Sequence, residues 1–190
     1  TALKRRRRGD VIRLEIDGQM PSRLQRFVAQ ELDIREDGVF VKEGMLGLAF
    51  DPGYATNGLF YVYYSASKPR RIQVSRFVAR EDARADPSSE RELIRVEQPY
   101  GNHNGGWIAF GPDGFLYVSS GERQKFTPAQ DLQQNLGKIV RLTDDGSVPT
   151  DNPFAGRGGV AEEIWSLGHR NPLGLAFDAN GRLWNVEMGP

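Results

Sequence analysis

Short apolar stretches rich in Phe, Tyr, Val and Ile recur along this chain, and polar turn-forming residues separate them. Their length and composition favour many short β-strands over helices. The 22 glycines and 11 prolines supply the turns between the strands. Only residues 128–137 suggest an α-helix, and that helix would be short.

Three segments share one pattern: an apolar residue, Ala-Phe, a turn of Asp, Pro, Asn or Gly, and then a strand that contains Tyr or Trp. Turn residues such as Pro112-Asp113-Gly114 provide the positive φ that a tight hairpin needs. The pattern therefore predicts three β-hairpins. Their shared phenylalanines, which are 60 and 67 residues apart, are Phe50, Phe110 and Phe177.

Further strands are predicted after each of the first two hairpins. They lie at residues 72–80 and 92–98 after the first hairpin, and at residues 138–146 and 162–168 after the second. Two hairpin strands and two more make a four-stranded sheet. Radial repetition of such sheets is typical of a β-propeller.

The sequence therefore predicts an all-β fold in which residues 1–190 form about three blades of one propeller domain, with residues 9–19 as an outer strand. Three blades are too few to close a ring. We expect either C-terminal blades outside this sequence or a second copy of the chain to complete it. The alternative fold is a β-sandwich, which explains the hairpins but not the repeat.

The composition excludes several classes of protein. Lys and Arg together number 25, as do Asp and Glu, so no net charge favours nucleic acid or an anionic membrane. The basic run at residues 4–8 has no interleaved aromatic residues, which favours an exposed turn over a nucleic-acid site. The chain has no cysteine and no apolar run of membrane-spanning length.

Candidate chemistry centres on the second hairpin. His103, one of two histidines, lies in a glycine-rich loop before this hairpin, and Glu122 follows its second strand. Because a tight turn brings the distant ends of two strands together, the two side chains can meet as a base and its orienting carboxylate. The alternatives are a turn histidine bonded to its own backbone, and a Glu122 paired with Arg123 or Lys125.

Arg170 and Asn171 occupy the corresponding place one hairpin later in the sequence. A guanidinium offers a planar set of donors that suits a carboxylate or a polarised carbonyl, and the amide adds further donors. The alternative is an arginine that only ties two sheets together.

Four ordered segments, residues 43–65, 102–122, 129–157 and 163–190, closely resemble the soluble quinoprotein sugar dehydrogenases, the glucose/sorbosone and aldose sugar dehydrogenase family. This resemblance runs from about Gly9 to Pro190. It implies a six-bladed propeller that uses pyrroloquinoline quinone (PQQ) and calcium. It also implies oxidation of an aldose to its lactone, with electrons passed to an external acceptor, in the periplasm or outside the cell.

The resemblance also implies roles for four residues of the candidate site. His103 matches the base that takes the proton of the anomeric hydroxyl, and Glu122 matches the acidic residue that supports this base. Arg170 and Asn171 match contacts of the cofactor, with the arginine stabilising negative charge on the quinone oxygen.

Gly189 and Pro190 match the positions whose backbone carbonyls bind calcium in this family. The polar residue that contacts sugar or quinone falls at Lys42 or Glu43, where relatives usually carry glutamine. Asn102 stands where glucose-oxidising members carry an aspartate beside the histidine, and we expect Asn102 and His103 to contact the sugar. Relatives of the hedgehog-interacting type imply an alternative function, a non-catalytic extracellular binding module.

Overall fold

The computed structural model describes residues 41–67, 69–80, 85–97 and 102–188, with side chains described from Met45 onwards and not at position 67. The predicted outer strand at residues 9–19 and the basic run at residues 4–8 lie outside these ranges. The described elements are β1 (Val41–Phe50), α1 (Tyr54–Asn57), β2 (Leu59–Ser67), β3 (Arg71–Val78), β4 (Arg91–Glu97), β5 (Ile108–Phe110), β6 (Leu116–Ser120), β7 (Lys138–Leu142), β8 (Ile164–Leu167), β9 (Pro172–Phe177) and β10 (Leu183–Glu187), with short 3₁₀ turns at Pro87–Ser89 and Thr127–Gln130.

The strands form three antiparallel sheets in which neighbours in space are also neighbours in the chain. The first sheet has the order β1-β2-β3-β4, the second β5-β6-β7-β8, and the third pairs β10 with β9. The three predicted hairpins are β1-β2, β5-β6 and β9-β10. The predicted four-stranded unit is confirmed for the first two sheets.

Strand β2 is buried on both faces, which explains its nearly continuous apolar sequence. Tyr61 and Tyr63 pack against Ile108 and Val118 in a cluster between the first and second sheets. Val62 and its neighbours with the opposite orientation belong to a separate cluster on the other face. Burial of each such side chain contributes about 1.5–3 kcal/mol, so stacking of the sheets stabilises the fold.

The first and second sheets also approach closely through their backbones. A Cβ atom at Gly47 of β1 would overlap the carbonyl oxygen of Gly106, which precedes β5. The second sheet packs in turn on the third through Tyr117, Ile139 and Leu175. The contact of Gly47 with Gly106 holds the segment before β5 against the first sheet.

The prediction of an α-helix at residues 128–137 is wrong. Only the 3₁₀ turn at Thr127–Gln130 forms there. The Asp131 carboxylate accepts the backbone N–H of Gln133 at 2.9 Å, a local bond that competes with helix formation. Gly137 then takes a φ of +66°, which reverses the chain before β7.

The one α-helix of the described residues, α1, is a single turn between β1 and β2. No helix in the described part of the chain is long and apolar enough to cross a membrane.

Candidate functional site

The β5-β6 hairpin brings His103 and Glu122 together at one end of the second sheet. Its pairing continues beyond β5, since Gly106 N–H donates to the Ser119 carbonyl at 3.3 Å. His103 Nδ1 lies 2.6 Å from Glu122 Oε1, and the two side chains are 6% and 1% exposed. The two groups that the sequence placed at opposite ends of one hairpin are therefore in direct contact.

The hydrogen bonds of Glu122 determine which nitrogen of His103 carries a proton. Its Oε1 accepts the backbone N–H of Gln124 at 2.9 Å, and its Oε2 accepts that of Phe126 at 2.6 Å. Burial raises the pKa of Glu122, but the bonds from His103 and these backbone groups outweigh burial and hold the pKa below its ordinary value. The ionised carboxylate only accepts, so in the neutral imidazole Nδ1 carries the proton and Nε2 the lone pair.

The backbone of His103 is in the left-handed region, with a φ of +53°. This conformation is uncommon for a residue other than glycine. In this conformation the His103 loop, residues 102–106, lies directly against the backbone of the opposing strand. A Cβ atom at Gly121 would overlap the His103 carbonyl oxygen, and one at Gly105 would lie 2.5 Å from the Ser119 carbonyl oxygen.

Arg123, which is 1% exposed, holds the His103 loop by hydrogen bonds. Its Nη1 donates to the Asn102 carbonyl at 2.8 Å and also to Asn104 Oδ1. The Tyr63 hydroxyl of the first sheet donates to the Asn104 carbonyl at 2.9 Å. Sequence reasoning considered Arg123 only as an ion-pair partner of Glu122, because nothing in the local pattern shows which neighbour a buried guanidinium contacts.

Arg170 and Asn171 lie against the same end of the second sheet. The carbonyl of Arg170 accepts the backbone N–H of Glu122 at 2.9 Å. Asn171 is buried, and its Oδ1 accepts the backbone N–H of Gly105 at 3.1 Å. This bond uses one lone pair of the amide oxygen, so the side chain of Asn171 can offer a ligand its Nδ2 donors and the second lone pair of Oδ1.

The remaining predicted site residues are less fully described. Asn102 is exposed, and its carbonyl is bonded to Arg123. The backbone of Lys42 pairs with Ala66 in the first sheet, but its side chain lies outside the described residues. Gly189 and Pro190 also lie outside them, so the calcium site stays a prediction. Within the described ranges no group of three or more His, Cys, Asp or Glu could hold a metal ion.

Comparison with known sequences identifies a family match over the whole chain and relatives over part of it. The sequence model of the family described as Glucose / Sorbosone dehydrogenase matches residues 1–190. The chain is 47% identical to the aldose sugar dehydrogenase YliI of Escherichia coli over 91 residues, which cover 47% of this chain and 24% of that protein. It is 30% identical to quinoprotein glucose dehydrogenase B of Acinetobacter calcoaceticus over 177 residues, which cover 78% and 36% of the two chains.

A more distant relative is the human Hedgehog-interacting protein, which is 27% identical over 168 residues that cover 77% of this chain and 24% of that protein. The chain therefore spans less than half the length of the curated relatives that it matches.

The described fold also matches solved structures. The PQQ-bound form of an aldose sugar dehydrogenase from Streptomyces coelicolor superposes with a TM-score of 0.67 at 36% identity, and covers 77% of this chain and 42% of that one. The apo form of the soluble Escherichia coli enzyme gives a TM-score of 0.71 at 35% identity, with 77% and 44% covered. The sheets are thus blades of a β-propeller rather than layers of a sandwich. The chain belongs to the glucose/sorbosone dehydrogenase family.

Proposed function

We propose that the full-length protein is a quinone-dependent oxidoreductase that oxidises an aldose at its anomeric carbon to the lactone and passes the electrons to an external acceptor. The observation that carries this proposal is the buried contact of 2.6 Å between His103 Nδ1 and Glu122 Oε1. It creates a polarised imidazole at the end of the sheet where Arg170 and Asn171 also lie. Quinoprotein relatives support the same reading.

In the proposed reaction, Nε2 of His103 takes the proton of the anomeric hydroxyl while the hydrogen on the anomeric carbon leaves as a hydride. The hydroxyl oxygen becomes the carbonyl oxygen of the lactone. The sugar therefore loses one proton and one hydride, and the hydride carries the second hydrogen and two electrons. PQQ, when bound, supplies the electrophilic carbonyl carbon that accepts the hydride. The Glu122 carboxylate stabilises the positive charge that forms on the imidazole.

The donors of the site fit an anionic quinone. Arg170 offers a guanidinium and Asn171 an amide, and both groups suit the carboxylates and carbonyls of PQQ. We assign Lys42 to the cofactor and Asn102 to the sugar. The backbone carbonyls of Gly189 and Pro190 suit calcium, a hard cation that prefers oxygen ligands.

Residues 1–190 would then be part of one propeller domain that further blades or a second copy complete. The proposed place of action is the periplasm or the exterior of the cell.

The test uses the full-length protein, reconstituted with PQQ and calcium. Wild-type protein should show a cofactor-specific absorbance change on binding PQQ and should reduce a dye only when an aldose is added. His103→Gln should still bind PQQ but lower kcat by about 10²–10⁴-fold, the usual contribution of a general base. Arg157→Gln, a change at an exposed arginine, should leave both readouts unchanged. Absence of aldose-dependent reduction by the PQQ-loaded wild type would refute the proposal.

A non-catalytic binding module is the second candidate, because the Hedgehog-interacting protein is also a relative. A scaffold for protein binding needs no polarised imidazole, so the contact between His103 and Glu122 favours the enzyme. Full-length protein that folds but neither binds PQQ nor reduces the dye would favour the binding module.

A further inference from the structure

Arg123 is a buried cation whose pairing is incomplete. The residue is 1% exposed and has a left-handed φ of +67°. Among the described residues, its Nε and Nη2 atoms have no hydrogen-bond partner, although these two form the edge that usually binds a carboxylate. Burial lowers the pKa of Arg123 to about 10. A guanidinium in this state costs folding free energy rather than supplying it.

A second buried arginine, in the second sheet, makes the contacts that are typical of a structural arginine. Arg141 of β7, at the opposite end of the second sheet, is 3% exposed. It binds Asp113, Asp151 and Asn152 at 2.8–3.2 Å. Its charge is neutralised and its donors are used, so Arg141 fits a role in stability and is a matched comparison for Arg123.

The contacts that Arg123 does make converge on the two residues that flank His103. One nitrogen, Nη1, binds both the carbonyl of Asn102 and the side-chain oxygen of Asn104. The Asn102 carbonyl precedes the φ torsion of His103, and the Asn104 side chain follows its ψ torsion. Because Nη1 binds both groups, it restrains both torsions. In an unrestrained chain the left-handed conformation of His103 is disfavoured by a factor of about 10. We expect loss of this restraint to favour a negative φ at His103, with its ring turned away from Glu122.

We propose that Arg123 is a positioning residue for the His103 base. Through Nη1 it holds His103 in the left-handed conformation in which the imidazole meets Glu122. The catalytic meaning of this inference rests on the proposed function. The geometry that it asserts can be measured without any activity.

The first experiment measures that geometry in the full-length protein by proton NMR. The signal of the His103 Nδ1 proton, held against Glu122, is assigned by its loss in His103→Gln. Arg123→Met should shift or abolish this signal, because the ring no longer sits against the carboxylate. Arg123→Lys, which keeps a cation and can rebind at least one of the two oxygens, should restore part of it.

The second experiment measures kinetics with PQQ-loaded protein. Arg123→Met should lower kcat about 10-fold, the factor that corresponds to the cost of the left-handed conformation, and should leave KM and PQQ binding unchanged. Asn104→Ala removes one of the two acceptors and should act in the same direction with a smaller effect. The double variant should lose less than the product of the single effects, because both changes act on one contact.

Arg141→Met is the matched control. It should lower the free energy of unfolding while leaving the His103 signal and kcat unchanged, when measured well below its own unfolding transition. A structural role for Arg123 would give Arg123→Met this same pattern. A wild-type His103 signal in Arg123→Met overturns the inference. If that variant does not fold, a wild-type signal in Asn104→Ala overturns it instead. A wild-type protein that does not oxidise aldoses would refute the proposed function. The NMR test of Arg123 would still be valid.

Discussion

Replacement of Glu122 by glutamine removes the charge that polarises His103 while keeping the shape of the side chain. Glu122 accepts hydrogen bonds from His103 Nδ1 at 2.6 Å, from Gln124 N at 2.9 Å and from Phe126 N at 2.6 Å. Glutamine has one acceptor oxygen, and its amide nitrogen is a donor. In either orientation of the amide, one backbone N–H therefore faces another donor inside the protein.

These contacts set the size of the expected effects. A buried N–H left without an acceptor costs about 1–3 kcal/mol, and bonds to a neutral oxygen are weaker by about 1 kcal/mol each than those to a carboxylate. Glu122→Gln should lower the free energy of unfolding by about 2–4 kcal/mol. It should also lower kcat/KM by about 10²–10⁴-fold, since the imidazolium formed in the proposed reaction loses its counter-charge.

The assay combines denaturant unfolding with aldose-dependent dye reduction by PQQ-loaded full-length protein. Titration with PQQ measures cofactor binding separately from catalysis. The affinity for PQQ should be the same in Glu122→Gln as in the wild type. A folded Glu122→Gln protein with wild-type kcat/KM would refute the assignment of His103 as the base.

The same variant gives a dependence on pH. The pKa of Glu122 in the folded protein lies below its ordinary value of 4.5. Its contribution to stability is therefore fully present above pH 4.5 and is lost as the pH falls through the folded pKa. The difference in unfolding free energy between wild type and Glu122→Gln should shrink below this pH. A difference that grows on acidification would show that the carboxylate is not stabilised by its hydrogen bonds.

Two further predictions concern the surroundings of the site. Gly121→Ala should lower the free energy of unfolding by more than about 3 kcal/mol or displace His103, because its Cβ would lie 2.6 Å from the His103 carbonyl carbon. Gly174→Ala, whose Cβ would meet Val186 at 3.8 Å, is the control, and equal denaturation midpoints for the two variants would contradict the prediction. Lys138 is fully buried, and burial lowers its pKa from 10.5 to about 8. Above pH 8 the unfolded chain binds more protons at Lys138 than the folded protein does. The free energy of unfolding of the wild type should therefore rise relative to Lys138→Met by up to about 3 kcal/mol as the pH approaches 10.5. Denaturant unfolding measures this difference, and a fall across the same pH range would contradict the prediction.

The strands and their hairpin pairing could be predicted because their causes are local. The run from Leu59 to Ser67 is apolar and aromatic, and Pro112-Asp113-Gly114 forms the turn that makes β5 and β6 neighbours. The contact between His103 and Glu122 follows from the same local rule, since a hairpin of known turn fixes which residues face each other. The failed helix at residues 128–137 shows the limit of this reasoning, because the bond that Gln133 N–H donates to the Asp131 carboxylate competes with a weak helical preference.

The sequence by itself determined the all-β class and the repeat of the hairpins, and it showed that an imidazole and a carboxylate could meet. Alternation of side chains and turn chemistry act over a few residues, so they are visible in the order of the amino acids. Only the tertiary structure decided that His103 is left-handed, that Arg123 holds its loop and that Asn171 binds Gly105. Each of these depends on how closely backbones from different sheets approach, as Gly47 and Gly106 do, and that distance is set by packing across the whole fold.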